Sequence, residues 1–528
     1  MLKVTKFILI AFVAVLLSSS FSFAEDLRAD VVVIGAGTSG TSAALSAVSN
    51  GAKTILIEKA PFPAGAGTFS GGMFAADSSQ QIKEQKTVDK EWLFEKFMVE
   101  TNYLANGRLV KRIIENAGKT VDFLNENGAE LALVPAGSGG QYWHVGTPDT
   151  LHGYQNGGGS KNIGRLQATF KKKGGTLLFE TKGLRILQDK EGKIAGIVAE
   201  DADGNEFNIY AKAVIVATGG MGANKVMVET YTGYKNPPLS PIQMAQGEGL
   251  KMAWNAGAKQ GRVIGQWFAL NPNHKKKTPL GGDFILWLFS DAPVLKVNKD
   301  GYRFFREDHS SEFAIVANAY MQQPDYVGWH VFDQSVVDNM KKHGLKYLMN
   351  KYGYWKYTDL EFYEFNEKNN LKELADIFEA PYDIMPYVKD AIKSEAFVVA
   401  DTIEELAKKM NIDPAVLTKE IKRYNQLAHE GEDVDFYNAP QFLFPVEKGP
   451  FYAFSNIARS LGTLGGVEVN ENLQALDDNN HPINGLYVVG NDATGMYGAS
   501  YIELEGATLG FAFTSGRLAG EHAAKMTK

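Results

Sequence analysis

The chain has 528 residues, is 45% hydrophobic and carries 54 glycines, enough apolar content for one or two large cores and too much for a disordered chain. It has no cysteine, which excludes disulfides, iron–sulfur clusters and covalent c-type haem, since that attachment needs C-x-x-C-H. A formal net charge of −7 argues against nucleic acid and against an anionic membrane surface as partners.

The first 24 residues read as a secretory signal peptide. Lys3 and Lys6 give a basic start, Phe7 to Leu17 is an unbroken apolar run, and Ser22-Phe23-Ala24 supplies small residues at a cleavage site. The run is short for a membrane span, so an uncleaved anchor is the lesser reading. There is no twin arginine, and a lipoprotein anchor would need a cysteine. Removing residues 1–24 takes away two lysines and no acids, leaving a charge of about −9. The expected product is periplasmic, with no stable membrane span after cleavage.

Residues 30–35, DVVVIG, read as a buried parallel strand. GAGTSG follows as a tight turn that opens a small-residue helix, and KTILIEK is a second strand ending on Glu58. Residues 107–129 predict an amphipathic helix. Residues 165–218 predict strands, with EGK and DADG as hairpin turns. After about residue 272 the texture changes, and 330–440 is rich in Tyr, Lys and Glu. Thr402, with Glu405 three residues on, predicts a helix start. From about residue 455 the glycine-rich αβ pattern returns. A nucleotide-binding α/β domain interrupted by an inserted α+β cap accounts for this order: 25–271 and 456–528 for the domain, 272–455 for the cap.

Gly35-x-Gly37-x-x-Gly40 lies between strand and helix, where glycine permits the turn and a close approach of pyrophosphate. The helix start, with Thr38 and Ser39, offers amides and positive dipole to phosphates. Glu58 can accept from ribose hydroxyls, which argues against a 2′-phosphate. This much does not choose between NAD and FAD. GTFSGGM (67–73), AVIVATGG (213–220) and GLYVVGN (485–491) resemble the FAD-binding segments of the fumarate reductase and succinate dehydrogenase flavoprotein family. The resemblance extends over nearly all of the chain after residue 24. It implies FAD in a split Rossmann-like domain under a cap. Contacts implied are Lys59, Thr68, Gly71 and Gly72, then Ala217, Thr218 and Gly219, then Asn491 and Asp492. Ala507, Thr508 and Leu509 follow, with Gly506, Ala507 and Thr508 placing amides near the flavin N1–C2=O edge. No histidine lies within 59–80, where some members attach the flavin, so the FAD is expected to be non-covalent.

Fumarate-reducing members read two carboxylates with two histidines and an arginine, and protonate with a second arginine. Matched position by position, Q-x-H-P-T falls on LNPN, with Asn271 at the first histidine. G-x-R-F-x-N-E falls on GYRFFRE, keeping Arg303, Phe304 and Glu307. The proton-donating arginine falls at Ser311, with His309 close by. H-x-T-M-G-G falls on LGTLGG, with Leu461 for the second histidine and Thr463, Gly465 and Gly466 kept. G-A-N-R falls on GASY, giving Tyr501. A buried dicarboxylate without these cations meets a large desolvation cost, so fumarate is not the expected substrate. LGTLGG and GATLG also resemble the ketosteroid dehydrogenases, where a tyrosine hydrogen-bonds a substrate carbonyl. Tyr501 is the expected proton donor, with Tyr497, His309 and Glu503 as alternatives; Asn271, Ser311 and Thr463 are expected at the substrate. No metal site is read.

The resemblance thus implies an exported FAD-dependent reductase of an activated C=C bond, an enoate or enone, with hydride leaving flavin N5. Electrons would come from a separate carrier such as a c-type cytochrome. A ketosteroid-type dehydrogenase running the reverse reaction is the second reading. A non-catalytic flavin electron-transfer protein is the third, and a complete cap argues against it.

Overall fold

The structure, a computed structural model, describes residues 25–63, 65–134, 149–156, 158–273, 286, 289–344, 347 and 383–528. The leader expected at residues 1–24 lies outside them. Within them, no helix is long and apolar enough to cross a membrane.

The central sheet grows from the most apolar short runs. Val31–Ile34, Thr54–Ile57 and Ala213–Val216 are buried at every position, as parallel strands covered on both faces must be. The strand order is Gln474–Leu476, Pro482–Val488, Ala213–Val216, Val31–Ile34, Thr54–Ile57, Thr176–Leu178. All pairs are parallel except the Gln474–Leu476 edge. Register sets Ile34 beside both Ile57 and Val216. The loops after these strands therefore open along one edge, where such sheets bind ligands.

Two helices meet over this sheet at unusually short range. Thr38–Ser49 carries the glycine motif, and Ala507–Met526 is the last helix. A methyl group at Gly516 would stand 2.1 Å from the Ser39 carbonyl oxygen, and one at Gly520 2.1 Å from that of Ala43. The Ser42 and Ser46 hydroxyls donate to the Phe513 and Arg517 carbonyls at 2.7 and 2.8 Å. Small residues are therefore obligatory along this seam.

The helix expected over 107–129 is Gly107–Glu126, capped by Asn106. The expected strand region 165–218 needs correction at its start. Residues 165–172 end the helix Gly158–Lys172, whose buried Ile163, Leu166, Gln167 and Phe170 recur at helical spacing. Strands begin at Thr176, and the hairpins turn at Asp189–Lys193 and Asp201–Asn205. In the cap, Leu295–Asn298, Val327–Asp333 and Val398–Ala400 join a sheet with Gln260–Pro272 and Phe451–Val467. Those last two pair with each other, and the Lys259 amide bonds the Leu476 carbonyl of the central sheet at 2.7 Å. They carry the chain between body and cap. The Thr402 hydroxyl accepts the Glu405 amide at 3.2 Å, starting the helix Ile403–Met410.

Candidate active site

The cradle is built from backbone. Gly35 has φ +100°, and a methyl group there would lie 2.4 Å from the Ala217 carbonyl oxygen; at Gly40 one would lie 1.8 Å from the Gly35 oxygen. Gly37 caps the helix Thr38–Ser49 with no side-chain bond, so its first amides, at Thr38, Ser39 and Gly40, are offered to a ligand. The Thr38 hydroxyl is buried without a partner. The Glu58 carboxylate accepts the Ala36 amide at 2.8 Å and the Ala60 amide at 3.0 Å, which holds it at the strand end. Asp492 is fully buried and accepts the amides of Thr218, Gly219 and Gly220 at 2.5, 3.1 and 2.8 Å. It thereby ties Ala217–Gly219 to the turn that includes Asn491. Burial raises its pKa despite those amides. The helix Ala507–Met526 also begins without a side-chain cap, at Gly506 with φ +70°. Two uncapped helix starts, an orphaned buried hydroxyl and a fixed glutamate fit FAD: one start for pyrophosphate, the other for an anionic ring edge. Thr68 donates to the Gly65 carbonyl, Gly72 lies against His152, and Leu509 packs against Gly67. The Lys59 ammonium is held by Glu248 at 2.7 Å, which turns it from the cradle toward the helix Glu248–Asn255.

Beside Thr508, at the start of the helix Ala507–Met526, stands an aromatic wall. Tyr501 meets Phe268 edge-on with centroids 5.5 Å apart, and Tyr497 at the same distance. Phe268 also meets Phe313 at 5.2 Å, and Tyr497 meets Phe511 at 6.1 Å. The Tyr501 hydroxyl accepts the Thr508 amide at a long 3.4 Å, and burial pushes its pKa up to about 12. The Gln266 amide group donates to the Thr508 hydroxyl at 2.6 Å. The Tyr497 hydroxyl is buried near the Thr508 side chain and makes no well-aligned hydrogen bond among the described residues. Glu503 accepts the Phe313 and Ala314 amides at 3.1 and 2.7 Å, and burial pushes its pKa up to about 8. At neutral pH this wall therefore presents two phenols and a carboxylic acid that keeps its proton.

Several expected site residues stand elsewhere. Asn271 is exposed near the end of the strand Gln260–Pro272, paired with Ile457. Phe268, three residues earlier, takes the place beside Tyr501. Gln266, two residues before Phe268, is the sequence signal that marks this position, rather than Asn271-Pro272. Arg303 and Glu307 are not at the wall. The Arg303 guanidinium bonds Glu307 and Asp433, at 2.5 and 2.7 Å, and lies over the Tyr424 and Phe436 rings inside the cap. With both charges enclosed, the pair positions the loop that follows. That loop is also held by buried Lys296, which donates to the Ser310 hydroxyl at 2.6 Å. His309 turns to Glu312 at 2.6 Å and stays partly exposed, with its pKa raised by that bond. Ser311 is buried two residues before Phe313. The Thr463 hydroxyl accepts the Met221 amide at 2.9 Å, which places it on the Gly219-Gly220 turn of the cofactor cradle rather than on the aromatic wall.

The chain matches the FAD binding domain family over residues 30–509. It is 32% identical over 509 residues to a vinyl phenol reductase of Lactiplantibacillus plantarum, covering 94% of this chain and 97% of that protein. It is 29% identical to a fumarate reductase (cytochrome) of Shewanella frigidimarina, covering 94% and 77%. In fold it is similar to the open conformation of a flavocytochrome c3 fumarate reductase, with TM-score 0.64, 23% identity and coverage of 95% and 79%. It is likewise similar in fold to a 3-ketosteroid Δ1-dehydrogenase from Sterolibacterium denitrificans, with TM-score 0.70, 17% identity and coverage of 94% and 99%. A cradle suited to non-covalent FAD and a match along most of its length make this chain a member of the FAD-binding, fumarate reductase-like flavoprotein superfamily and an oxidoreductase of CH–CH groups.

Proposed function

We propose that the protein reduces an activated C=C bond of an enoate or enone with a planar apolar body, and that fumarate is not its substrate. The observation that carries this reading is the wall of Phe268, Phe313, Tyr497 and Tyr501, where fumarate-reducing relatives are expected to present cations. Aromatic faces favour a flat unsaturated body and leave a second carboxylate unpaired, at an effective cost of roughly several kcal/mol. The similarity to a vinyl phenol reductase supports a flat aromatic body next to the C=C bond.

FAD, when bound, supplies the hydride that reaches the β-carbon. The chain's own residues supply the rest. Tyr501 gives its phenolic proton to the α-carbon; with a pKa near 12 it is fully protonated at neutral pH and takes a proton back from its surroundings. Tyr497, whose hydroxyl is buried and makes no well-aligned hydrogen bond among the described residues, donates a hydrogen bond to the substrate carbonyl oxygen as charge builds there. Glu503, a neutral acid below about pH 8, replenishes the phenol. Arg303 and Glu307 position the loop through Ser311, and the uncapped start of Ala507–Met526 would offer its amides to the flavin ring edge. The chain contains no cysteine for haem attachment, so electrons arrive from a separate carrier, a c-type cytochrome being the expected kind. The protein acts after export to the periplasm.

A second direction, dehydrogenation of a saturated ketone, is favoured by the 23% identity to a 4-oxocyclohexanecarboxylate 2-dehydrogenase, which covers 93% of this chain. Anaerobic flavin titration separates the two. The chemically reduced protein should be reoxidised within seconds by an aryl enoate or enone and not by fumarate. Rapid reoxidation by fumarate would overturn the proposal, and reduction of the oxidised protein by saturated ketones alone would reverse its direction.

A further inference from the structure

Gln266 is a buried polar side chain on the strand Gln260–Pro272. It reaches across to the start of the last helix, 242 residues away in sequence, where its amide group donates to the Thr508 hydroxyl at 2.6 Å. A hydroxyl that accepts in this way still has one hydrogen to give. Two phenol oxygens lie against the Thr508 side chain, those of Tyr501 and Tyr497.

The two phenols differ in what else reaches them. The Tyr501 oxygen also accepts the Thr508 backbone amide at 3.4 Å and lies against the Gln266 side chain. Tyr497 has the Thr508 side chain beside it and makes no well-aligned hydrogen bond among the described residues. With the Thr508 hydroxyl hydrogen directed at Tyr501, both lone pairs of that phenol are engaged by Thr508, and its own hydrogen is left to point elsewhere. The titratable groups facing the Tyr501 hydroxyl are Glu503 and Tyr497, and neither brings a positive charge. A negative charge formed on this oxygen would rest on oriented donors, which act strongly where water is excluded.

We propose that Gln266 and Thr508 form a donor cradle for the phenolate left on Tyr501, and that this cradle makes Tyr501, rather than Tyr497, the acid. This rests on the reductase reading above and deepens it. As the proton goes over, the phenolic O–H bond breaks and the α-carbon C–H bond forms. The electron pair stays on the Tyr501 oxygen, which takes a proton back from Glu503. Gln266 is a positioning residue: it acts through Thr508, fixing which way that hydroxyl gives its hydrogen.

The test reads the ionisation of Tyr501 in the substrate-free, FAD-loaded protein. Difluorotyrosine placed at position 501 brings the titration into an accessible range and is followed by fluorine NMR. Gln266→Met, similar in size but without a donor, should raise the midpoint by about one to two pH units, the shift for losing a hydrogen bond to a charged group. Thr508→Val should do the same, and Thr508→Ser should keep the wild-type midpoint. An unmoved midpoint in both Gln266→Met and Thr508→Val would overturn the proposal, and if either variant fails to fold the other decides. With 3-phenylpropenoate as probe, Gln266→Met should lower turnover by about 10- to 100-fold and leave the half-saturating concentration unchanged. In a Tyr501→Phe background the same substitution should add no further loss. A full multiplicative loss there would overturn the proposal, because Gln266 would then act on something other than Tyr501. If the probe does not reoxidise the flavin, it is the reductase reading that loses support, and the titration still decides the cradle.

Discussion

Replacing Tyr501 by Phe removes one oxygen and little else. The ring keeps its edge contact to Phe268 and its tilted contact to Tyr497, with centroids 5.5 Å away in each case. The lost hydroxyl accepts the Thr508 amide at a long 3.4 Å and lies against the Thr508 and Gln266 side chains, so the cost to stability should be about 1 kcal/mol. The cofactor should be retained, because that amide remains at the uncapped helix start. Turnover should fall by roughly 10²- to 10⁴-fold, the range for losing a positioned acid, equivalent to about 3–5 kcal/mol in the barrier. The assay is anaerobic stopped-flow reoxidation of the reduced flavin, with FAD content and thermal unfolding measured beside it. Turnover within about threefold of wild type would refute the assignment. The buried hydroxyl of Tyr497 would then be the donor, and Tyr497→Phe would carry the loss instead.

Glu503, with its pKa pushed up to about 8, should give a turnover profile that is flat below that pH and falls above it; Glu503→Gln should lose the limb, and an unchanged limb would exclude Glu503. Because its folded pKa lies above the ordinary value of 4.5, the wild type should lose stability as pH rises from about 4.5 to 8, and thermal melts of Glu503→Gln should show a shallower decline. Gly516→Val should destabilise by about 3 kcal/mol and release FAD, since even a methyl group there meets the Ser39 carbonyl oxygen at 2.1 Å; undiminished FAD content after dialysis would contradict this. Arg303→Met should cost about 3–5 kcal/mol in urea unfolding by leaving Glu307 and Asp433 uncompensated. Lost turnover at unchanged stability would instead return Arg303 to the chemistry.

The cofactor half was legible because its requirements are local. A strand, three glycines at fixed spacing and a glutamate at the next strand end specify the cradle within 30 residues, and the structure assembles Gly35, Gly40 and Glu58 in one place. The substrate half depends on register between distant strands. Asn271 and Phe268 differ by three positions, and only pairing with Phe451–Val467 shows which of them stands beside Tyr501. Arg303 and Glu307 match a motif, but a motif does not reveal that Asp433, 130 residues away, closes over the guanidinium. The helix ending at Lys172 was hidden because only Lys173-Gly174-Gly175 separates it from the apolar strand that begins at Thr176.

The seam between Thr38–Ser49 and Ala507–Met526 bears on the order of assembly. Its serine bonds join residues 471 apart in sequence, and Pro482–Val488 pairs with Ala213–Val216 only after everything between has been accommodated. Contacts of that separation form late and slowly. The first turn of the phosphate-binding helix thus stays unsupported until the final helix docks. Flavin capture should accordingly report completion of folding, and the unliganded chain should be cut by protease first at this seam.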